Sequence, residues 1–312
     1  MASMKIREVE AERDADAIVA IVRATNPFAL TSREEWLHRQ AAYPARAQMR
    51  DLVAEIGGRV VGWAETGRDF FGSGKTASLG VLVEPASRSR GVGSALYDRI
   101  VEHALAYEVP TLKSMFTESA EGVAFAQARG FAARRAERWS ALDPRTVSEL
   151  PDASIVIAPA AALDPHDLHR VDEAATRDMP ATEPVQAIPY EEWLEFVWRH
   201  PFFTKDGSFG ALVDGELACV VLLLAERASG RGMVMFTGTL REYRGRGLAR
   251  AVKLASAHWA ADNGIAQIAT ANDETNAPML AVNERLGFRP AGRRVEFSAE
   301  RERLLRERGE DL

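Results

Sequence analysis

Arg88-Ser89-Arg90-Gly91-Val92-Gly93 reappears as Arg244-Gly245-Arg246-Gly247-Leu248-Ala249, 156 residues further along the chain. Gly130-Phe131 returns as Gly287-Phe288, and the turn glycine Gly58 returns as Gly215, each 157 residues later. Landmarks that share an offset to within one residue point to a fold built twice. A length of 312 residues agrees, since two domains of roughly 150 residues are the ordinary solution at this size.

Each copy carries the same order of elements. In the first, apolar periodicity predicts helices over 11–24 and 33–42, strands over 52–56 and 60–65 about the Gly57-Gly58 turn, and a strand over 77–83. A helix over 91–107, a strand over 111–116, a helix over 120–129 and extended chain over 131–142 follow. The second copy reads as strand 155–158, helices 166–177 and 190–199, strands 209–213 and 217–226 about Asp214-Gly215, and strand 233–240. Helix 247–263, strand 267–271, helix 277–286 and strand 289–297 complete it. The class is α/β with a mixed sheet. The expected bounds are 4–145 for the first domain and 153–298 for the second, joined by a polar, proline-containing linker at 143–153, with a charged helical tail at 299–312.

The balance of charges limits the partners. A net charge of -6 gives no broad basic field for a nucleic-acid backbone, so no nucleic acid is expected. The single cysteine, Cys219, excludes an internal disulfide framework and suits a reducing cytoplasm. The longest apolar run, 217–225, falls short of the ~20 residues of a membrane-spanning helix, and the N-terminus lacks the apolar core of a secretory signal. A cytoplasmic protein without membrane or metal is the expectation. Its oligomeric state is open between a monomer, which the tandem makes a pseudo-dimer, and a homodimer.

In both copies a strand runs into a Gly/Arg turn that opens a long helix. The first N–H groups of a helix have no internal acceptor and its dipole makes that end positive. Glycines let an anion approach the backbone, and flanking arginines add charge-assisted contacts. Such a turn suits a phosphate. The dinucleotide fingerprint fails in both, because Leu96 and Arg250 stand where its third glycine belongs. A phosphate-binding loop of the NTPase type at Gly72-Ser73-Gly74-Lys75-Thr76 fails too, since Asp69 takes the place of the first glycine and a strand follows.

The turns do match [QR]-x-x-G-x-[GA]. Together with strands Val81-Leu82-Val83 and Thr237-Gly238-Thr239, and with the closing helix 276–286 that begins at Asn276 and ends in Gly287-Phe288, they resemble the GCN5-related N-acetyltransferase family over most of each half. The resemblance implies acetyl-CoA as cofactor. Its pyrophosphate would rest on Arg88, Ser89, Arg90, Gly91, Val92, Gly93 and Ser94 in one copy. In the other it would rest on Arg244, Gly245, Arg246, Gly247, Leu248, Ala249 and Arg250. The pantetheine arm would lie like an added strand along Val81, Leu82 and Val83, or Thr237, Gly238 and Thr239, with Asn272 and Asn276 nearby in the second copy.

By the same resemblance, a backbone N–H near Thr239 or Leu240 would hold the oxyanion. Many members protonate the leaving thiolate with a Tyr seven positions after the helix Asn; here that position is Asn283, and the first copy has Ser119 and Ala126 instead. The implied activity is acetyl transfer to the primary amine of a small molecule by direct attack in the C-terminal domain. Asp178 and Glu183, in the loop before Tyr190, would attract the ammonium and accept its proton. A peptide or protein N-acetyltransferase and a non-catalytic acyl-CoA-binding module are the alternatives.

Overall fold

Both two-residue hairpins form as expected, and their geometry explains the residue choice. φ is +59° and +80° at Gly57 and Gly58, and +52° and +84° at Asp214 and Gly215, the paired left-handed positions of a type I′ turn. The computed structural model describes residues 3–71, 74–179 and 188–309. The chain runs β1 (Met4–Glu8), α1 (Ala11–Thr25), α2 (Arg33–Ala42), β2 (Arg50–Ile56), β3 (Arg59–Arg68), β4 (Thr76–Val83), α3 (Val92–Leu105), β5 (Thr111–Thr117), α4 (Ala120–Gln127) and β6 (Ala132–Leu142). It continues with β7 (Val156–Pro159), α5 (Pro165–Thr176), α6 (Tyr190–Trp193), β8 (Phe209–Val213), β9 (Glu216–Glu226), β10 (Arg231–Thr239), α7 (Leu248–Asp262), β11 (Gln267–Asp273), α8 (Ala277–Arg285), β12 (Arg289–Glu300) and α9 (Arg301–Arg308).

Two local features depart from the sequence expectation. The strand β1 was not foreseen: it has five residues, three of them charged, and pairs antiparallel with β2 from Met4↔Ile56 to Glu8↔Leu52. Charge on a short edge strand hides the alternation that would reveal it. The helix expected over 190–199 is α-helical only to Trp193 and then π-helical over Leu194–Trp198. Trp193 and Trp198 are five residues apart, which is the π spacing, and their rings stack at 6.3 Å.

The chain divides into two compact units, Met1–Ala136 with Arg294–Leu312, and Glu137–Arg293. These bounds cut through β6 and β12, whereas the sequence placed its join at 143–153. In the first unit the strand order is β1-β2-β3-β4-β5-β12, with the outer part of β12 antiparallel to β5 from Arg294↔Thr117 to Glu300↔Thr111. In the second it is β6-β11-β10-β9-β8-β7, with β6 antiparallel to β11 from Leu142↔Ile268 to Glu137↔Asp273. Each repeat therefore gives its last strand to the other's sheet. The first unit buries Leu96, Ile100, Leu112 and Phe297 against Leu304 and Leu305 of α9, and on the opposite sheet face Ile18, Trp36, Val53 and Trp63. The second buries Cys219, Val221 and Leu223 under Val252, Leu254 and Phe288.

The feature that makes room for a ligand is common to both units. β4 and β5 run parallel and pair only from Thr76↔Thr111 to Ser78↔Lys113. β10 and β11 pair only from Arg231↔Gln267 to Met233↔Ala269. Beyond those points β4 keeps β3 to Val83↔Gly62, and β10 keeps β9 to Thr239↔Cys219. One edge of each strand is thus left open just before the Gly/Arg turn.

Candidate functional site

The two turns share an unusual backbone. φ is +56° at Ser89 and +80° at Gly91 in the first, and +77° at both Gly245 and Gly247 in the second. Gly91 and Gly247 are the N-caps of α3 and α7, and neither helix has a side-chain cap. By contrast Ser32, Ser119 and Asn276 do cap α2, α4 and α8. The amides at 92–94 and 248–250 are therefore left for an outside acceptor. Gly93 is closely approached, since a Cβ there would come within 3.2 Å of the Phe125 ring. Arg88 Nε donates to the Val83 carbonyl at 3.3 Å, and Arg244 Nε to the Thr239 carbonyl at 3.1 Å. Orphan amides, a left-handed nest and a flanking guanidinium fit a pyrophosphate in both copies.

The open strand edges sort the candidate backbone donors. Leu240 N–H donates to the Ala218 carbonyl at 2.9 Å, and Glu84 N–H to the Val61 carbonyl at 2.9 Å. Leu240 is therefore corrected: its amide is spent on β9. Antiparallel alternation turns the amides of Thr237 and Thr239, and of Val81 and Val83, to the open edge.

In the first unit a cleft of about 880 Å³ runs from Ser89, Gly91 and Ser94 along the open edge of β4. On its other wall are Ser114, Phe116 and Thr117 of β5, and it ends at the α1–α2 loop among Asn26, Thr31, Glu35, Arg39, Trp63 and Glu65. That end is an ion cluster. Arg39 lies 3.6 Å from both Glu35 and Glu65 and donates to Tyr43 Oη at 3.1 Å. Thr31 Oγ1 donates to Glu35 at 2.9 Å, and Trp63 Nε1 to Asp51 Oδ1 at 2.9 Å. Glu65 and Asp51 are register partners on β3 and β2, and Glu65 and Gly80 are partners on β3 and β4. Glu65 Oε2 accepts no hydrogen bond among the described residues.

Burial pushes the Glu65 carboxyl above the usual range, against the pull of Arg39. Burial, and then the Glu65 charge, lift Asp51 to about 7. Sequence reading missed this cluster. The available signal was a glutamate within the apolar strand RVVGWAETGR, where a half-buried strand has no need of one.

The second unit assembles its candidates differently. Asp178 accepts hydrogen bonds from Arg241 and Arg244, which hold it below the usual carboxylate range. It is thus an ionised partner of the turn rather than a base awaiting an amine, which corrects its expected role. Glu183 lies outside the described residues. Asn276 accepts from Met279 N–H as the cap of α8. Asn283 is completely buried and donates to Asn272 Oδ1 at 2.7 Å, so Asn283 is corrected to a core residue that ties α8 to β11. Thr239 Oγ1 lies 3.1 Å from Cys219 Sγ. Among the turn arginines, Arg246 sits 5.2 Å from the Tyr243 ring and Arg250 pairs with Glu149. Lys253, unforeseen, is buried with Nζ 3.3 Å from Thr237 Oγ1, and burial lowers it to about 8.

An α/β unit with an open strand edge above an uncapped Gly/Arg turn, built twice, has known relatives. The model of the acetyltransferase (GNAT) family matches residues 15–131 and 168–288, and the chain belongs to that family of N-acetyltransferases. It is 30% identical over 260 residues, 81% of this chain and 83% of the relative, to a mycothiol acetyltransferase of Thermomonospora curvata. Its fold is that of a tandem GNAT protein from the clavulanic acid biosynthesis pathway (TM-score 0.75, 24% identity, 96% of this chain and 99% of that one). A GCN5-related N-acetyltransferase from Sphaerobacter thermophilus shares it as well (TM-score 0.69, 19% identity, 96% of each chain). Among the described residues no helix is long and apolar enough to cross a membrane.

Proposed function

We propose that the chain transfers the acetyl group of acetyl-CoA to the primary amine of a small molecule, and that the reaction runs in the cleft of the first unit. The sequence favoured the C-terminal copy. The observation that moves the assignment is one pair of partners on neighbouring strands. In the first unit Glu65 faces Gly80; at the corresponding place in the second, Leu222 faces Phe236. A carboxylate beside an open strand has been replaced there by two apolar side chains. A Cβ on Gly80 would approach Glu65 Cγ to 3.3 Å, so the glycine lets the carboxylate lie over β4 where its edge opens.

Acetyl-CoA would supply an activated acyl group, with its pyrophosphate on the first turn and its pantetheine along Val81–Val83 of the open edge. An acceptor arriving as an ammonium meets a cluster with more carboxyls than guanidinium groups. Glu65 takes a proton from it, and a raised carboxyl is better matched to that task than an ordinary one. The nitrogen lone pair then forms the C–N bond, an amide on the open edge of β4 holds the oxyanion, and the C–S bond breaks. Coenzyme A leaves as a thiolate and takes up the second proton, which the attacking nitrogen sheds as it becomes an amide. Such an amide is typically worth ~10²–10³ in rate. The lone buried Cys219, whose thiol burial pushes up to about 12, accords with a reducing cytoplasm.

Thiol release from acetyl-CoA against a panel of small amines, amino acids, amino sugars and short peptides tests the reading. Turnover on compact amines that is lost in Glu65→Gln supports it. Turnover on peptides alone moves it to a protein acetyltransferase. Tight binding of acetyl-CoA with no turnover on any amine leaves a binding module.

A further inference from the structure

We propose that Asp178 is a tethered competitor for the second phosphate turn, so that the chain's two coenzyme positions have unequal affinity and the weaker one is restrained by the protein's own carboxylate. This rests on the reading that both turns hold the pyrophosphate of coenzyme A.

The two turns offer an internal control. Their arginines leave the strand in the same way, each with Nε on the last strand carbonyl. They differ in what the outer N–H groups meet. Arg88 reaches Glu121 through one N–H at 3.2 Å, and that carboxylate is 77% exposed. Arg244 Nη2 meets Asp178 at 2.6 Å. Arg241, which stands where the first turn has Pro85, closes on the same carboxylate through Nη2 and, at 3.4 Å, through Nε. One carboxylate thus occupies two guanidinium groups of the second turn.

Asp178 follows Arg177, the C-cap of α5. The negative end of a helix dipole disfavours an anion there, so the helix itself does not explain its placement; the arginines do. Planar guanidinium binds carboxylate and phosphate through the same fork. A phosphate entering this turn must therefore displace Asp178 from Arg244, from Arg241 or from both. A pyrophosphate carries more charge and can do so, which makes the contact a competition rather than a plug. The backbone of the site is intact, since Gly245 and Gly247 keep their left-handed conformation and α7 its uncapped amides.

The test is a calorimetric titration of coenzyme A into the full chain with the first turn silenced, once by Gly91→Trp and independently by Arg88→Glu. The remaining isotherm then belongs to the second turn. Adding Asp178→Asn, which keeps the side chain's size and removes its charge, is expected to tighten that isotherm about tenfold, the scale of two partly exposed ion pairs. Asp178→Ala should do the same. A dissociation constant that stays within twofold overturns the proposal, and so does weaker binding, which would make Asp178 an organiser of the arginines. Two equal sites in the wild-type chain overturn it as well. No coenzyme A binding to the wild-type chain would instead sink the coenzyme reading itself, and this proposal with it.

Discussion

At the scale of single residues, Glu65 and Lys253 each set an ionisable group where burial moves its pKa. Glu65→Gln removes a proton acceptor but keeps the shape of the cleft. We expect kcat to fall ~100-fold, within the range for a positioned base, while the dissociation constant for acetyl-CoA stays the same. Because burial raises this carboxyl and only its ionised form accepts a proton, wild-type turnover should climb with pH through that raised value. The Gln variant should lose that limb of the profile. Lys253 gives a prediction of opposite kind. Its amine falls from 10.5 to about 8 on burial, so the folded state resists holding the charge. The sign follows from the depressed pKa: the cost is full below about pH 8 and gone above the ordinary value of 10.5. Lys253→Met should therefore stabilise the chain by about 3 kcal/mol at pH 7. Thermal melts across pH should show that gain fading toward pH 10, and a gain independent of pH would contradict the burial argument. Glu65 left only the trace of a glutamate within an apolar strand, and Lys253 left none, because an inward-facing lysine becomes distinctive only once the buried face of its helix is known.

Elements were far more legible. The hairpins at Gly57-Gly58 and Asp214-Gly215, the helix starts after Gly91 and Gly247, and the helix closed by Gly287-Phe288 depend on local backbone chemistry, which residue types reveal directly. β1 escaped because its five residues pair with β2 without an alternating pattern of their own. The terminal helix α9 reads in the sequence as a charged tail. Leu304 and Leu305 are both buried in the first unit's core, at 2% and 4% exposure, and Arg301 binds the Leu105 carbonyl at 2.9 Å. Leu304→Ala should cost about 3 kcal/mol, in the middle of the range for a large-to-small change in a core. A guanidinium titration showing no shift of the midpoint would place α9 outside the cooperative unit.

For the whole molecule, the repeat was visible in the sequence but the exchange of its final strands was not. β6 and β12 occupy equivalent places, so the hydrophobic pattern is satisfied equally well whether each strand closes its own sheet or the other one. Expression of residues 4–150 alone should accordingly yield a chain lacking the β12 that flanks β5, with poor solubility and no cooperative melt. Co-expression with residues 151–312 should restore a soluble complex that co-purifies. A well-folded, monomeric N-terminal fragment would contradict the exchange. The same exchange has a hereditary meaning. Neither half can be deleted without leaving the survivor an unfinished sheet, so both stretches of the gene must be kept even if only one performs chemistry. Under that obligation the two halves are free to differ in their interiors. The place that holds Glu65 and Gly80 in the first unit holds Leu222 and Phe236 in the second, a difference between twins that cannot be parted.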